Sequence, residues 1–594
     1  MHRLKGSLSI ILIWLAVCAV MMFITRDQIA SGIGWGPDDQ LRQVQVRDWL
    51  VGQSWFDTTQ YRIAEPDSQP MHWTRWIEIP LALVILLLTP VLGAALAETI
   101  AMTVVPLVAL FCVMWLVMKI TAELFERQIA LLAAALTATA VPVVAQVRPM
   151  RIDHHGWQIV LALIALWTMF WPNKKNAGLV LGAGLALWLS ISMEGLPLTI
   201  GFIALLVWRW SILLGSGDRL FWTLLSFLLS SVVLFLASQG GLDALINYCD
   251  AISPVHLLAC GAGAAIILPA IHFSPQSIWI RLVALVTAGL LVLLTLWYAA
   301  PQCVGSAFAD IDPLVRDTWL VNVNEGLPIW HQPTKEMINL FGGSILVGLG
   351  CLAYVWRSQI GTFDKSKLVL LAYAFLWALF VSVFIQRASS VAAAYALPLV
   401  AWAVHHGFKA ARGIPKSAVR ILATVAVVFL ILPGPLALGI ASFVNGSEEL
   451  KPDDMASNRD APSCDSSASI ERLNALPKAN IAAPFDFGPE ILVTTPHNVL
   501  ATSHHRNDSA MADQIRLFTS PPVQARKLLQ SRNVGYVIIC LNEAELDLYA
   551  QKQPEGFAAM LLKGAAPDWM QSVHLRDSGL KIWRIVPKTF ENEM

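Results

Sequence analysis

Asp153-His154-His155, in the run Arg148-Pro-Met-Arg-Ile-Asp-His-His-Gly-Trp157, falls where one apolar run ends and the next begins. Carboxylate oxygen and imidazole nitrogen together suit a divalent cation such as Mn or Mg; Zn is less favoured because no cysteine accompanies them. A second acidic pair, Asp38-Asp39, follows Gly34-Trp-Gly-Pro37 just beyond the first apolar run. The glycines and proline make a turn, which puts both acids in the first turn of an amphipathic helix. Ionisable groups at the mouths of membrane helices are costly to keep there and usually have a purpose. A cation held by these clusters can act as Lewis acid and template for a diphosphate leaving group. Plainer readings stand beside this one. Asp38-Asp39 can be a helix cap favoured by the helix dipole, and Asp-His-His can be a solvated turn.

Two further stretches carry suitable chemistry. Asn322-Val-Asn-Glu325-Gly-Leu-Pro328 lies in a loop, where a glutamate can be merely solvated. Gln386-Arg387 sits at the end of another apolar run, where the planar guanidinium can bind phosphate or snorkel to lipid headgroups. Glu194, in Ser-Met-Glu-Gly-Leu-Pro, is an intramembrane acid of the kind a transporter uses for coupling.

The elements that must position these residues are membrane spans. The chain has 594 residues, 56% of them hydrophobic and only 14% charged, with a mean hydropathy of +0.60. A soluble core does not need so much apolar sequence, so this is a polytopic membrane protein. Its 41 basic and 41 acidic side chains balance, which leaves no bulk electrostatic case for nucleic acid. The first run, 7–23, follows His2, Arg3 and Lys5 and lacks a small-x-small cleavage site, so it reads as a retained helix with a cytoplasmic N-terminus.

Spanning-length runs recur at 100–119, 128–146, 157–172, 177–193, 196–214, 220–238, 254–272, 279–299, 341–356, 367–385, 388–404 and 421–444. With the first, that predicts about thirteen spans. The stretch 79–97 is also apolar. Counting it would turn the later Lys- and Arg-rich loops outward, against the positive-inside rule, so it reads as a re-entrant or interfacial helix broken by Pro80 and Pro90. The outer side then receives a long loop at 25–78, the Asp153 cluster, a loop at 300–340 and everything after 445.

Residues 446–594 are a different kind of sequence, polar and mixed, with strand-like runs at Tyr536-Val-Ile-Ile539 and Lys581-Ile-Trp-Arg-Ile-Val586. The expectation is therefore a transmembrane domain over 1–445 and a soluble α/β domain over 446–594, joined by the polar linker 446–468. Cys464 and Cys540 are that domain's only cysteines; in an oxidising compartment they are a plausible disulfide, with two unpaired thiols as the alternative.

Taken together, these features resemble the catalytic subunit of oligosaccharyltransferase, a GT-C-fold membrane glycosyltransferase. The helix count, the cytoplasmic N-terminus and the outer C-terminal domain are similar. Asp38-Asp39 resembles that family's acidic motif in the first outer loop, and Asp153 and His155 the ligand positions of its archaeal Asp-His-His motif. Asn322-Val-Asn-Glu325 resembles its Ser-Val-Ser-Glu loop, and Arg387 the arginine that contacts the lipid-linked pyrophosphate. Pro484-Phe-Asp486-Phe-Gly488 looks like its WWDYG motif, but both tryptophans that help grip the Asn-x-Ser/Thr sequon are replaced.

The resemblance implies an enzyme that uses a polyprenyl-phosphate or polyprenyl-diphosphate sugar on the outer face; the compact single chain and the outer disulfide candidate suit a cell inner membrane, with the C-terminal domain periplasmic. It implies a divalent metal, Mn or Mg, on Asp38 and/or Asp39, Asp153 and His155. One of the first pair, with Glu325, would orient the acceptor nucleophile. His154, Arg387, His72, Arg75, Asp486, Gly488, His505 and Arg506 are candidate substrate-binding residues. The acceptor is protein asparagine in the leading version, and lipid A, a surface polysaccharide or another lipid in the next. A transporter or a non-catalytic membrane scaffold is the reading from a different class; the chain lacks the internal symmetry that transporters often have.

Overall fold

The computed structural model describes residues 2–212, 217–240, 242–273, 276–357, 364–432, 434, 467–541, 543–576 and 578–586. It divides into two compact units, one of Met1–Asp27, Trp73–Ala309 and Val323–Glu449, the other of Gln28–His72, Asp310–Asn322 and Leu450–Met594. Most of the first outer loop and a piece of the second group with the C-terminal domain.

The first unit is helical. Among the described residues eight helices are long and apolar enough to cross a membrane, or nine if Thr334–Phe341 and Ser344–Arg357, bent by 49°, form one span. Leu8–Ile24, His155–Met169 and Ser417–Ile431 are shorter apolar helices. The expected runs at 7–23, 157–172 and 421–444 correspond to these shorter helices, and another expected run is interrupted. The run 128–146 is broken into Arg127–Leu136, a 3-10 turn at Thr137–Thr139 and the short helix Val141–Val144, with Pro142 in its first turn. The last run, 421–444, extends beyond the described residues.

Within the stretch 79–97 the break lies elsewhere than at the prolines. Arg75–Leu92 has the length and composition of a span. Its prolines do not break it, because Pro80 stands in the first turn, where a missing N–H costs nothing, and Pro90 lies inside the helix Ile79–Leu92. The break comes at Gly93, whose φ of +80° is open to glycine at little cost, and the 31-residue helix Ala94–Leu124 follows.

Helices Lys174–Ile191 and Gly217–Ser238 pack closely because of a small-xxx-small pair. A Cβ on Gly178 would stand 2.7 Å from the Arg219 carbonyl oxygen, and one on Gly182 would stand 2.2 Å from that of Thr223. A disulfide joins Cys249 to Cys303, linking the loops after Gly217–Ser238 and after Ile278–Ala299. Sequence reasoning missed it.

The second unit carries a mixed five-stranded sheet: β1 Asn480–Ala482, β2 Asn498–Val499, β3 Val534–Ile539, β4 Met570–Val573 and β5 Lys581–Ile585, in the order β2-β1-β3-β5-β4. β2, β1 and β3 run parallel, while β5 is antiparallel to both β3 and β4. The strand-like runs of the sequence are thus β3 and β5, lying side by side. The edge at β2 is covered from the first outer loop, where Val499 donates its N–H to the Arg62 carbonyl at 2.9 Å and accepts that of Ala64 at 3.0 Å. Cys540 is disulfide-bonded. Cys464, with which it was expected to pair, lies outside the described residues.

Candidate active site

In the helical unit the Asp-His-His run forms the turn into helix His155–Met169. The turn is fixed from both ends. Met150 adopts a left-handed φ of 68° and donates its N–H to the Met102 carbonyl at 2.8 Å. Gly156 lies so close to the preceding chain that a Cβ would stand 2.7 Å from the Gln146 carbonyl oxygen. The three side chains are buried, at 2%, 2% and 5% exposure.

Asp153 Oδ1 accepts the His154 backbone N–H at 2.6 Å and lies 2.5 Å from His154 Nδ1; Oδ2 lies 3.1 Å from His155 Nε2. Burial alone would raise the Asp153 pKa, but His154 and His155 hold it well below the usual carboxylate range. Burial alone would likewise lower His154, yet the Asp153 carboxylate carries it up to about 9.

Three more residues close the cluster. Glu194 lies on the 3-10 turn Met193–Gly195, where the Ser192 hydroxyl accepts its backbone N–H at 3.3 Å. Its Oε2 stands 3.3 Å from His154 Nε2, 3.2 Å from Gln158 Nε2 and 3.6 Å from His155 Nδ1. Its Oε1 accepts Arg387 Nη1. Arg387 Nε donates to Glu325 Oε2 at 2.7 Å, and that oxygen is 3.8 Å from His155 Nε2. Glu325 is the most open member, its side chain 45% exposed, and Arg387 outweighs the burial that would raise its pKa, so it is held low. Gln332 donates to the carbonyls of Asn324 and Leu327, at 2.5 and 3.3 Å, which pins the loop that presents Glu325.

The structure thus brings together Asp153, His154, His155, Glu325 and Arg387, which lie 62 residues apart for the last pair. Glu194, which sequence reasoning reserved for transport, belongs to the same cluster, and Gln158 was missed. Gln158 was findable, because it lies one helical turn after His154. Asp153, His154 and His155 each offer a ligand atom within 4.8 Å of the others. The 3.1 Å between Asp153 Oδ2 and His155 Nε2 is close to the ~3 Å expected for neighbouring ligands at ~2.1 Å from one ion. The donor set therefore fits a divalent cation.

The remaining candidates divide between the units. Arg75, in the helical unit, is fully buried and pairs with Glu78 at 3.0 Å. In the other unit Asp39 is fully buried in the first turn of helix Pro37–Leu50 and accepts the Gly36 N–H at 3.2 Å, while Asp38 beside it is half-buried. His72 and His505 lie with ring centroids 4.4 Å apart, and Arg506 donates to the Met71 carbonyl at 3.2 Å.

Asp486, exposed, precedes the helix Phe487–Thr494. Arg47 donates to the Val493 carbonyl at that helix's C-terminal end, and Arg62 donates to those of Leu492, Thr495 and His497. Gly488 is required sterically, since a Cβ would stand 2.7 Å from Thr502 Cγ2. Glu545 accepts the Phe485 N–H at 2.8 Å and the Tyr549 hydroxyl at 2.9 Å, and burial pushes its carboxyl up to about 8.

The multispan helical unit and the small mixed-sheet unit correspond to the GT-C fold seen in solved membrane glycosyltransferase structures. The chain is similar to the oligosaccharyltransferase AglB of Archaeoglobus fulgidus in complex with an inhibitory peptide and a dolichol-phosphate. The TM-score is 0.61 at 15% identity, over 92% of this chain and 72% of that one. The same enzyme tethered to an acceptor peptide with an NVT sequon gives 0.61 at 14% identity, over 97% and 74%. ArnT from Cupriavidus metallidurans, bound to undecaprenyl phosphate, gives 0.45 at 11% identity, over 96% and 97%. No protein-family model matches the chain, and no curated protein matches it.

Proposed function

We propose that this chain is a membrane glycosyltransferase that takes a sugar or oligosaccharide from a polyprenyl-linked phosphate and passes it to an acceptor on the outer face of a bacterial inner membrane. The observation that carries the proposal is the single cluster of Asp153, His154, His155, Glu194, Glu325 and Arg387 at the ends of spans in a GT-C fold. Transfer to protein asparagine is the leading version, supported by the fold shared with AglB. Transfer to lipid A or an envelope polysaccharide is the second, favoured by Pro484 and Phe485 standing where the family's sequon-gripping tryptophans would be.

In the reaction the anomeric carbon–oxygen bond to phosphate breaks, its electron pair stays on the phosphate, and the acceptor's nucleophile bonds the anomeric carbon as it loses a proton. Asp153 and His155 would hold a divalent cation, Mn or Mg, that supplies electrostatic stabilisation of the leaving phosphate when bound. Asp38 and Asp39 lie in the other unit and enter this proposal through the resemblance alone. Arg387 binds phosphate oxygen through its planar fork. Glu325, the most exposed carboxylate of the cluster, would orient an acceptor or take its proton.

The test is to extract cells carrying wild-type protein or Asp153→Ala/His155→Ala and compare polyprenyl-linked sugars, lipid A, polysaccharide and glycopeptides by mass spectrometry. Accumulation of one lipid-linked sugar with loss of one glycosylated product is the expected result. Unchanged pools at normal protein levels would move the reading to transport or scaffolding.

A further inference from the structure

Arg387 meets two carboxylates, and they are held very differently. Glu325 reaches Nε from a loop, with its side chain 45% exposed. Glu194 takes Nη1 and is anchored on its other sides by His154 Nε2 at 3.3 Å and Gln158 Nε2 at 3.2 Å. Gln158 is itself held by the Trp188 indole N–H at 3.3 Å. The turn beneath Glu194 cannot easily shift, because a Cβ on Gly195 would stand 2.5 Å from the Trp188 ring. An arriving phosphate oxygen competes with carboxylate oxygen for the same guanidinium N–H groups. It would therefore displace the more exposed Glu325 and leave Glu194 in place. Beside Glu194, His155, Gln158 and Arg387 the site leaves about 20 Å³ open to the centre of a water molecule, room for about one oxygen.

We infer that Glu194 is a specificity-determining residue that restricts the donor to a single phosphate: a diphosphate would have to put its second anionic group against a carboxylate that the fold pins beside the arginine. This rests on the proposed function, since it narrows the carrier of the same donor.

The experiment uses the full-length protein in nanodiscs with Mn, and the probes are a synthetic polyprenyl monophosphate and the matching polyprenyl diphosphate, the lipids that the two donor classes leave behind. Affinities are read by native mass spectrometry. The wild-type protein is expected to bind the monophosphate at least about tenfold more tightly, as a like-charge contact of this kind implies. Glu194→Gln, which keeps the size and most hydrogen bonds, is expected to lose most of that preference, whereas Glu325→Gln keeps it. Equal or tighter binding of the diphosphate by wild-type protein would overturn the inference and leave the lipid-linked-donor reading standing. An unaltered preference in Glu194→Gln would also overturn it. Binding of neither lipid would overturn both, and because the wild-type comparison stands alone, misfolding of a variant does not obscure the answer.

Discussion

At the scale of single residues, the cluster around Asp153 makes the sharpest predictions. Asp153→Ala removes both the candidate metal ligand and the partner that orients His154 and His155. Turnover is expected to fall by about 10²–10³, with loss of Mn binding by electron paramagnetic resonance and little change in expression. Arg387→Lys keeps the charge but loses the planar fork, so donor affinity should fall by about tenfold or more, measured as a rise in KM for the donor.

Glu545 gives a pH prediction independent of the metal. Its folded-state pKa of about 8 lies above the ordinary glutamate value, so the folded chain binds more protons than the unfolded chain between those values. Stability from this residue is therefore fully present at low pH and is lost as pH rises through about 8. The unfolding midpoint should drop between pH 6 and pH 9 in wild-type protein, and drop less in Glu545→Gln.

At the scale of elements, the sequence made some features plain and hid others. Asp153-His154-His155 was legible because adjacent polar residues stand out between apolar runs, and β3 and β5 because β-branched and aromatic residues cluster there. Glu194 was visible too, but its partners lie 36 to 193 residues away, so only the fold reveals that it faces them. The break in 79–97 was misplaced because proline is a stronger sequence signal than one glycine, although Pro80 stands where a helix tolerates it. Helix contacts were not legible at all. Gly178 and Gly182 let two backbones meet, so Gly182→Val should force the helices Lys174–Ile191 and Gly217–Ser238 apart and cost about 1–3 kcal/mol, read as a lower unfolding midpoint in detergent.

At the scale of the whole molecule, the unit that holds the C-terminal stretch also takes in segments of the two long loops. Arg62 caps a helix of that stretch and Ala64 extends its sheet, while Asp312 and Lys552 tie in the second loop through Arg516 and Thr318. Contacts across several hundred residues leave no trace in local pattern. The Cys249–Cys303 disulfide offers a check on orientation, because the proposed topology puts both loops on the outer face. Cys249→Ser should expose Cys303 to a membrane-impermeant maleimide added to spheroplasts, and labelling only after lysis would reverse the topology.

The central claim is that the Asp153 cluster performs metal-assisted sugar transfer from a polyprenyl carrier. The most direct measurement is to add purified protein in nanodiscs, with and without Mn, to the polyprenyl-linked lipids extracted from its host. Metal-dependent conversion of one sugar-linked lipid to its bare polyprenyl phosphate, absent in Asp153→Ala, is the predicted result. Identical lipid profiles for wild-type and variant protein, with metal and acceptor-containing membranes present, would contradict the account.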